Sequence, residues 1–161
     1  MIQAMKQRMK NEQGLTLIEL LAVVVILGII AAIAIPSIGG LIDNSKKDAH
    51  VANAQQMVSS AKTYVAGNAD LNYSSAVTLS LKDMIDKGLI DKIEDPDKTE
   101  GGYTEGTAGN DDGSFVEITK SGKTFKYEVK LTNGTRGIWV ADQQLLKRDN
   151  VKEPANEVIT K

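Results

Sequence analysis

Between Leu15 and Ile35 the chain runs for 21 residues, LTLIELLAVVVILGIIAAIAI, with Glu19 as its one charge. At 1.5 Å per residue such a helix is ~31 Å long, matching a bilayer hydrocarbon core of roughly 30 Å. Lys6, Arg8 and Lys10 precede it against Glu12, and the rest of the 161-residue chain is mildly acidic within a net charge of −2. That asymmetry predicts a cytoplasmic N-terminal leader and an exported C-terminal part, hence a single-pass membrane protein.

Three readings of this segment compete. A secretory signal peptide would use Ala32-Ile33-Ala34 as its small-x-small cleavage site, but its apolar stretch usually spans only ~7–15 residues. A plain signal anchor explains the length and leaves Glu19 unexplained. The third reading gives the acid a task, as an ionisable group inside a spanning helix ordinarily has one. If a peptidase cuts between Gly14 and Leu15, the new α-amino group of Leu15 lies about one helical turn from Glu19. Paired with Glu19 of a neighbouring copy, it would neutralise both charges and set the register between subunits. Gly14 suits the cut, since its backbone can enter a protease extended.

Gly14-Leu15-Thr16-Leu17-Ile18-Glu19-Leu20-Leu21 resembles the prepilin signature of type IV pilins and pseudopilins. The similarity covers roughly residues 10–40 and includes Pro36, late in the apolar helix, and Gly28, where a helix-weakening residue is common. The resemblance implies a membrane prepilin peptidase that cleaves after Gly14 and N-methylates Leu15. It also implies an assembly ATPase and a platform protein that polymerise the subunit, with other pilins, into a surface filament. Thr16 and Glu19 would serve assembly. Leu15 replaces the commonest residue of the family, phenylalanine. The lack of any cysteine removes the C-terminal disulfide of many Gram-negative members and points to a Gram-positive or competence-type pilin. Motility, adhesion, DNA uptake and protein secretion stay open at this point. So does a membrane-anchored or secreted domain that does not polymerise.

Without cysteine, thiolate metal sites and thiol catalysis are excluded. One histidine, His50, cannot build a His cluster, and no nucleophile–histidine pairing or phosphate loop occurs, so no enzyme is expected. His50 itself is read as a solvent-side helical residue.

Pro36 lacks an N–H and predicts a kink or local unwinding, with Gly28, Gly39 and Gly40 weakening the same neighbourhood. Beyond it the helix is expected to resume to about Ala66. Its first part, 43–50, reads as polar, with Lys46, Lys47 and Asp48 solvated, and Val51, Ala54, Val58, Ala61 and Val65 then form one apolar face, flanked by Met57 and Tyr64. Residues 68–77 read as a loop. A capping box at Ser80–Asp83 starts a short helix, which Gly88 stops. The stretch DPDKTEGGYTEGTAGNDDG, 95–113, is a long acidic loop, functional or mobile. Strands follow at 114–120, 124–131 and 137–142, with an Asn133-Gly134 hairpin signal. In the second of them Phe125, Tyr127, Val129 and Leu131 share a face.

The fold class is therefore α+β, a long N-terminal helix on a three- or four-stranded antiparallel sheet, as in type IV pilins. The division is a leader (1–14), a transmembrane and polymerisation helix (15–36), a head domain (37–146) and a disordered tail (147–161).

Two binding alternatives are tested on the head. Asp95, Asp97, Asp111 and Asp112 offer the hard oxygen ligands of a calcium site, as in major pseudopilins, but without full EF-hand spacing. Acidic glycine loops are ordinarily solvated, so no cofactor is the first expectation. Lys120, Lys123, Lys126, Lys130 and Arg136 are a DNA-binding candidate patch, interrupted by Glu117 and Glu128; a solvated sheet face is the stronger expectation.

Overall fold

The computed structural model describes residues 16–68, 73, 75–110, 112–154 and 159–160. The protein divides into two compact units, Met1–Ile42 and Asp43–Lys161. One helix, α1 (Leu17–Gly67), runs through that boundary. The helix is continuous through Pro36, without the local unwinding that is one of the two expectations there. A proline inside a helix removes one hydrogen bond, here to the Ala32 carbonyl, and helical turns established on both sides propagate through the loss.

From Asp43 onward α1 is one-sided. Ala54, Met57, Val58 and Ala61 are buried, with Val51, Tyr64 and Val65 packed at the margin. This is the apolar face read from the spacing, with Met57 at its centre rather than on its flank. The stripe also extends one turn further back than expected: His50, four residues before Ala54, is fully buried.

The sheet holds five antiparallel strands in sequential order, β1 (Val77–Ser80), β2 (Phe115–Ser121), β3 (Thr124–Thr132), β4 (Gly137–Val140) and β5 (Val151–Lys152). Two exceed the number counted from three alternating segments. β1 lies partly in the supposed 68–77 loop and pairs Val77 with Ile118 and Ser80 with Phe115. β5 lies in the supposed disordered tail and pairs Ile138 with Val151, which is buried. That tail is ordered where described: Arg148–Asn150 forms a 3-10 turn, and Ile159 bridges to Val140. Edge strands this short are held by pairing with a neighbour and carry too few residues for an alternation to show.

On β3, Tyr127, Val129 and Leu131 are buried and Phe125 half-buried, all on the face expected to be apolar. The inner face of β4 is fixed by buried Ile138 and Val140. Trp139 takes the opposite face, where its Nε1–H donates to Glu128 (2.7 Å) and Lys130 Nζ lies 4.4 Å over its ring. Phe115 meets it edge-on.

Between β1 and β2, α2 (Leu81–Asp86) starts in the expected capping box. Ser80 Oγ accepts from Asp83 N–H, and Asp83 Oδ2 accepts from Ser80 N–H. The acidic loop that follows is fastened. Thr104 N–H bonds the Thr132 carbonyl and Ser114 N–H the Thr104 carbonyl, both at 2.8 Å. Asp83 Oδ2 also accepts from Gly109 N–H at 2.8 Å, 26 residues away.

Two substitutions test how this loop is held. A Cβ on Gly113 would lie 2.5 Å from Gly106 N and 2.9 Å from the Thr104 carbonyl oxygen, backbone that has no rotamer to yield. Gly113→Ala should therefore cost about 2 kcal/mol or more in chemical denaturation. Burial acts to raise the Asp83 carboxyl, but the Gly109 N–H, Lys87 and Ser80 outweigh it and hold it at about 2. Because that value lies below the unfolded one, the contribution is complete above about pH 4 and is lost as pH falls towards 2, ~2 kcal/mol in all. The stability gap between wild type and Asp83→Asn should narrow over that interval in acid titrations followed by circular dichroism.

Candidate processing and assembly site

The start of α1 explains Glu19 locally. Thr16 is the residue before the first helical position, and Glu19 is the third residue within. Glu19 Oε2 accepts from Thr16 N–H at 2.8 Å and from Thr16 Oγ1–H at 2.6 Å, while Glu19 N–H donates back to Thr16 Oγ1 at 3.3 Å. This is a capping box, in which two backbone donors without helical partners satisfy each other's side chains. A carboxylate in a first helical turn also lies at the positive end of the helix dipole. The Thr-x-x-Glu spacing is itself the signal for such a box, a local role for Glu19 beside the charge pairing expected of it. The structure thus brings Thr16 and Glu19 together. Gly14 and Leu15 lie outside the described residues.

Beyond the box, unit one presents apolar side chains in every direction. Leu17, Ile18, Leu20, Leu21, Ile33 and Ile35 are each more than half exposed, and no described residue from 17 to 42 is buried. The helix is long and apolar enough to cross a membrane. Gly28 and Pro36 both lie inside it, and a Cβ on Gly28 would meet nothing within 4 Å.

In unit two, polar residues of α1, Lys46 and His50 among them, form a polar clasp with the loops. The ring of His50, contrary to the solvent-side expectation, lies fully buried between two loop residues. Its Nε2 is 2.9 Å from Asp97 Oδ2 and its Nδ1 is 2.8 Å from the Tyr103 hydroxyl. A neutral ring carrying its proton on Nε2 satisfies both contacts, since Tyr103 donates to Nδ1 and accepts from Asn53 Nδ2 at 3.1 Å. Lys46 reaches Asp97 Oδ1 at 3.4 Å. Arg136, on the β3–β4 connection, pairs with Asp43 (2.8 Å), Asp97 (3.3 Å) and Glu153. Asp48, also read as solvated, pairs with Arg148. The clasp thereby ties the acidic loop and the C-terminal segment to α1.

Of the four calcium candidates, the three described do not converge. Asp95 and Asp97 lie in the clasp, and together with His50 their ligand atoms fall within 4.8 Å of one another. The Asp95 oxygens are already occupied, however: Asn133 Nδ2 donates to both at 3.1 Å, Asp97 N–H to one, and Thr99 N–H and Oγ1–H to the other. Burial acts to raise the Asp95 and Asp97 carboxyls. Thr99 and Asn133 hold the first below the usual carboxylate range, and His50, Arg136 and Lys46 do so for the second. Asp112 turns to Thr107 instead, accepting its N–H at 2.6 Å. Asp111 lies outside the described residues.

The basic patch is likewise divided. Arg136 is engaged by carboxylates and Lys130 lies over Trp139. Lys120 is opposite Phe125 in the register and so shares its face, whereas Lys126 and Lys130 lie on the other.

Residues 9–35 match the family model for the prokaryotic N-terminal methylation motif, which is the type IV prepilin signature. The matched residues take in Gly14 and Leu15, the capping box and the apolar half of α1. The motif indicates a type IV pilin-like prepilin. No curated protein and no solved structure matches the sequence.

Proposed function

We propose that the protein is a structural filament subunit, made with a leader of residues 1–14, cleaved after Gly14, N-methylated on Leu15 and polymerised through its apolar helix. The observation that carries this reading is the prepilin motif running into a helix whose apolar surface, among the described residues, is uncovered on every side. Such a surface is stable in a lipid bilayer or in a bundle of like helices, and transfer from one to the other keeps it out of water. The subunit would be anchored in the membrane, leader inward, before assembly and lie at the cell surface afterwards. Its partners would be a prepilin peptidase, an assembly ATPase with its platform protein, and further copies of itself or other pilins. No catalytic role is assigned to it.

Within this reading Glu19 has two states. Before cleavage its carboxylate caps Thr16. Once the leader is removed, the Leu15 amine of a neighbouring copy becomes a charged partner for it. The box is made through Oε2, and a carboxylate has a second oxygen with which to meet that amine. Burying the pair costs solvation, and either charge left alone costs more, so subunits in the wrong register are penalised.

Mass spectrometry of the mature N-terminus is expected to find N-methylated Leu15. A mature protein starting at Ile35, or one retaining Met1, would sink the proposal. The role of the charge is separated from that of the cap by two variants. Glu19→Ala removes both, whereas Glu19→Gln keeps an oxygen that can accept from Thr16 and loses only the charge. Both should be cleaved normally yet enter filaments poorly; a normal filament yield for Glu19→Gln would leave capping as the sole role.

A further inference from the structure

Asn133 holds the clasp shut from the sheet side. Its Nδ2 donates to both oxygens of Asp95 at 3.1 Å and approaches Asp97 Oδ2 at 3.4 Å. Its Oδ1 accepts from Thr135 N–H at 3.0 Å and Arg136 N–H at 2.7 Å. Only an amide serves here, because the group must donate to two carboxylates on one side and accept two backbone donors on the other. The next residue is Gly134, which has no side chain to hinder an approach of its nitrogen to the Asn133 amide. Asn-Gly is thus placed where the amide matters most.

We infer that Asn133 is a covalent modification site, at which spontaneous deamidation opens the clasp irreversibly. The Gly134 nitrogen attacks Cγ of Asn133 and forms a ring C–N bond. The Cγ–Nδ2 bond breaks, and ammonia leaves with the proton given up by Gly134. Water then opens the ring at either carbonyl, leaving aspartate or isoaspartate; water is the only co-reactant. The product presents an acceptor where Asp95 and Asp97 had a donor, so three carboxylates face one another. Like charges at that range repel, and the donors formerly on Asp95 are lost.

The folded arrangement slows the first step. Gly134 N–H is engaged by Thr132 Oγ1 at 3.1 Å, and the Asn133 amide is held by bonds at both of its ends. Attack therefore needs the clasp to open first, and each opening carries a chance of a change that prevents closing. The modification acts as a one-way record of opening. It depends only on unit two and not on the filament reading.

Two measurements on the full-length protein in detergent test this. In thermal melts, Asn133→Asp should lose several degrees in Tm relative to Asn133→Ala, which removes the same donors without adding charge. Asn133→Asp melting at or above Asn133→Ala would overturn the inference. In peptide mapping after incubation at mildly alkaline pH, Tyr103→Phe and Lys46→Met should convert Asn133 roughly tenfold faster than wild type, following the larger open population. An unstructured Thr-Asn-Gly-Thr peptide added to each sample serves as the reference and should convert equally beside all three. Equal rates at Asn133 in wild type and both variants, or no conversion in any, would refute the proposal.

Discussion

One helix has to satisfy two different surroundings, and this constraint orders the rest of the molecule. Up to Ile42, α1 carries apolar side chains on every face, which water will not tolerate and lipid or like helices will. From Asp43 it carries an apolar stripe on one face only, against which a sheet must pack. The change falls within the same run of backbone hydrogen bonds, so no loop separates anchor from head. Polar residues at the start of the second part then face a difficulty. They lie too near the core stripe to be wholly solvated, and the loops that cover them must supply matching groups.

The clasp is the solution to that difficulty. Asp43, Lys46, His50 and Asn53 come from α1, and their partners come from the acidic loop, the β3–β4 connection and the C-terminal segment. Contacts of this kind add little net stability, because each charged group gives up hydration to make them. They do impose direction. A hydrophobic patch would let the loop settle in several ways, whereas Asp97 can meet His50, Lys46 and Arg136 in only one. Every buried side-chain nitrogen and oxygen among the described residues has a partner, as a network that specifies a single arrangement requires.

What the sequence discloses follows the physical range of each signal. The membrane-length run, the stripe from Ala54 to Val65, the alternation of β3 and the Ser80 capping box are all local patterns, and all appear in the structure, the stripe with Met57 moved from its flank to its centre. His50 was legible in principle, four residues before Ala54, but a histidine among lysines and aspartates looks solvated until Asp97 and Tyr103 arrive from about fifty residues away. β5 and the ordered C-terminal segment were beyond reach for the same reason, since Val151 is buried only because Ile138 lies beside it. The acidic loop was read from its composition alone, as solvated, and what composition does not show is that each described aspartate in it accepts from donors within the protein.

The Thr16–Glu19 box changes how the acid in the apolar helix is weighed. A carboxylate near the end of a spanning helix costs less than at the centre, and two donors from Thr16 reduce that cost further. The acid is therefore tolerable in a membrane-resident subunit before any partner exists. Tolerance alone does not demand a charge, because a glutamine or a serine could also accept from Thr16. The helix dipole favours a charge at this position without requiring one, and in the proposed filament the one cation that processing would create in this apolar surrounding is the amine of Leu15. Capping accounts for how Glu19 is carried, and the proposed pairing would account for why it is an acid.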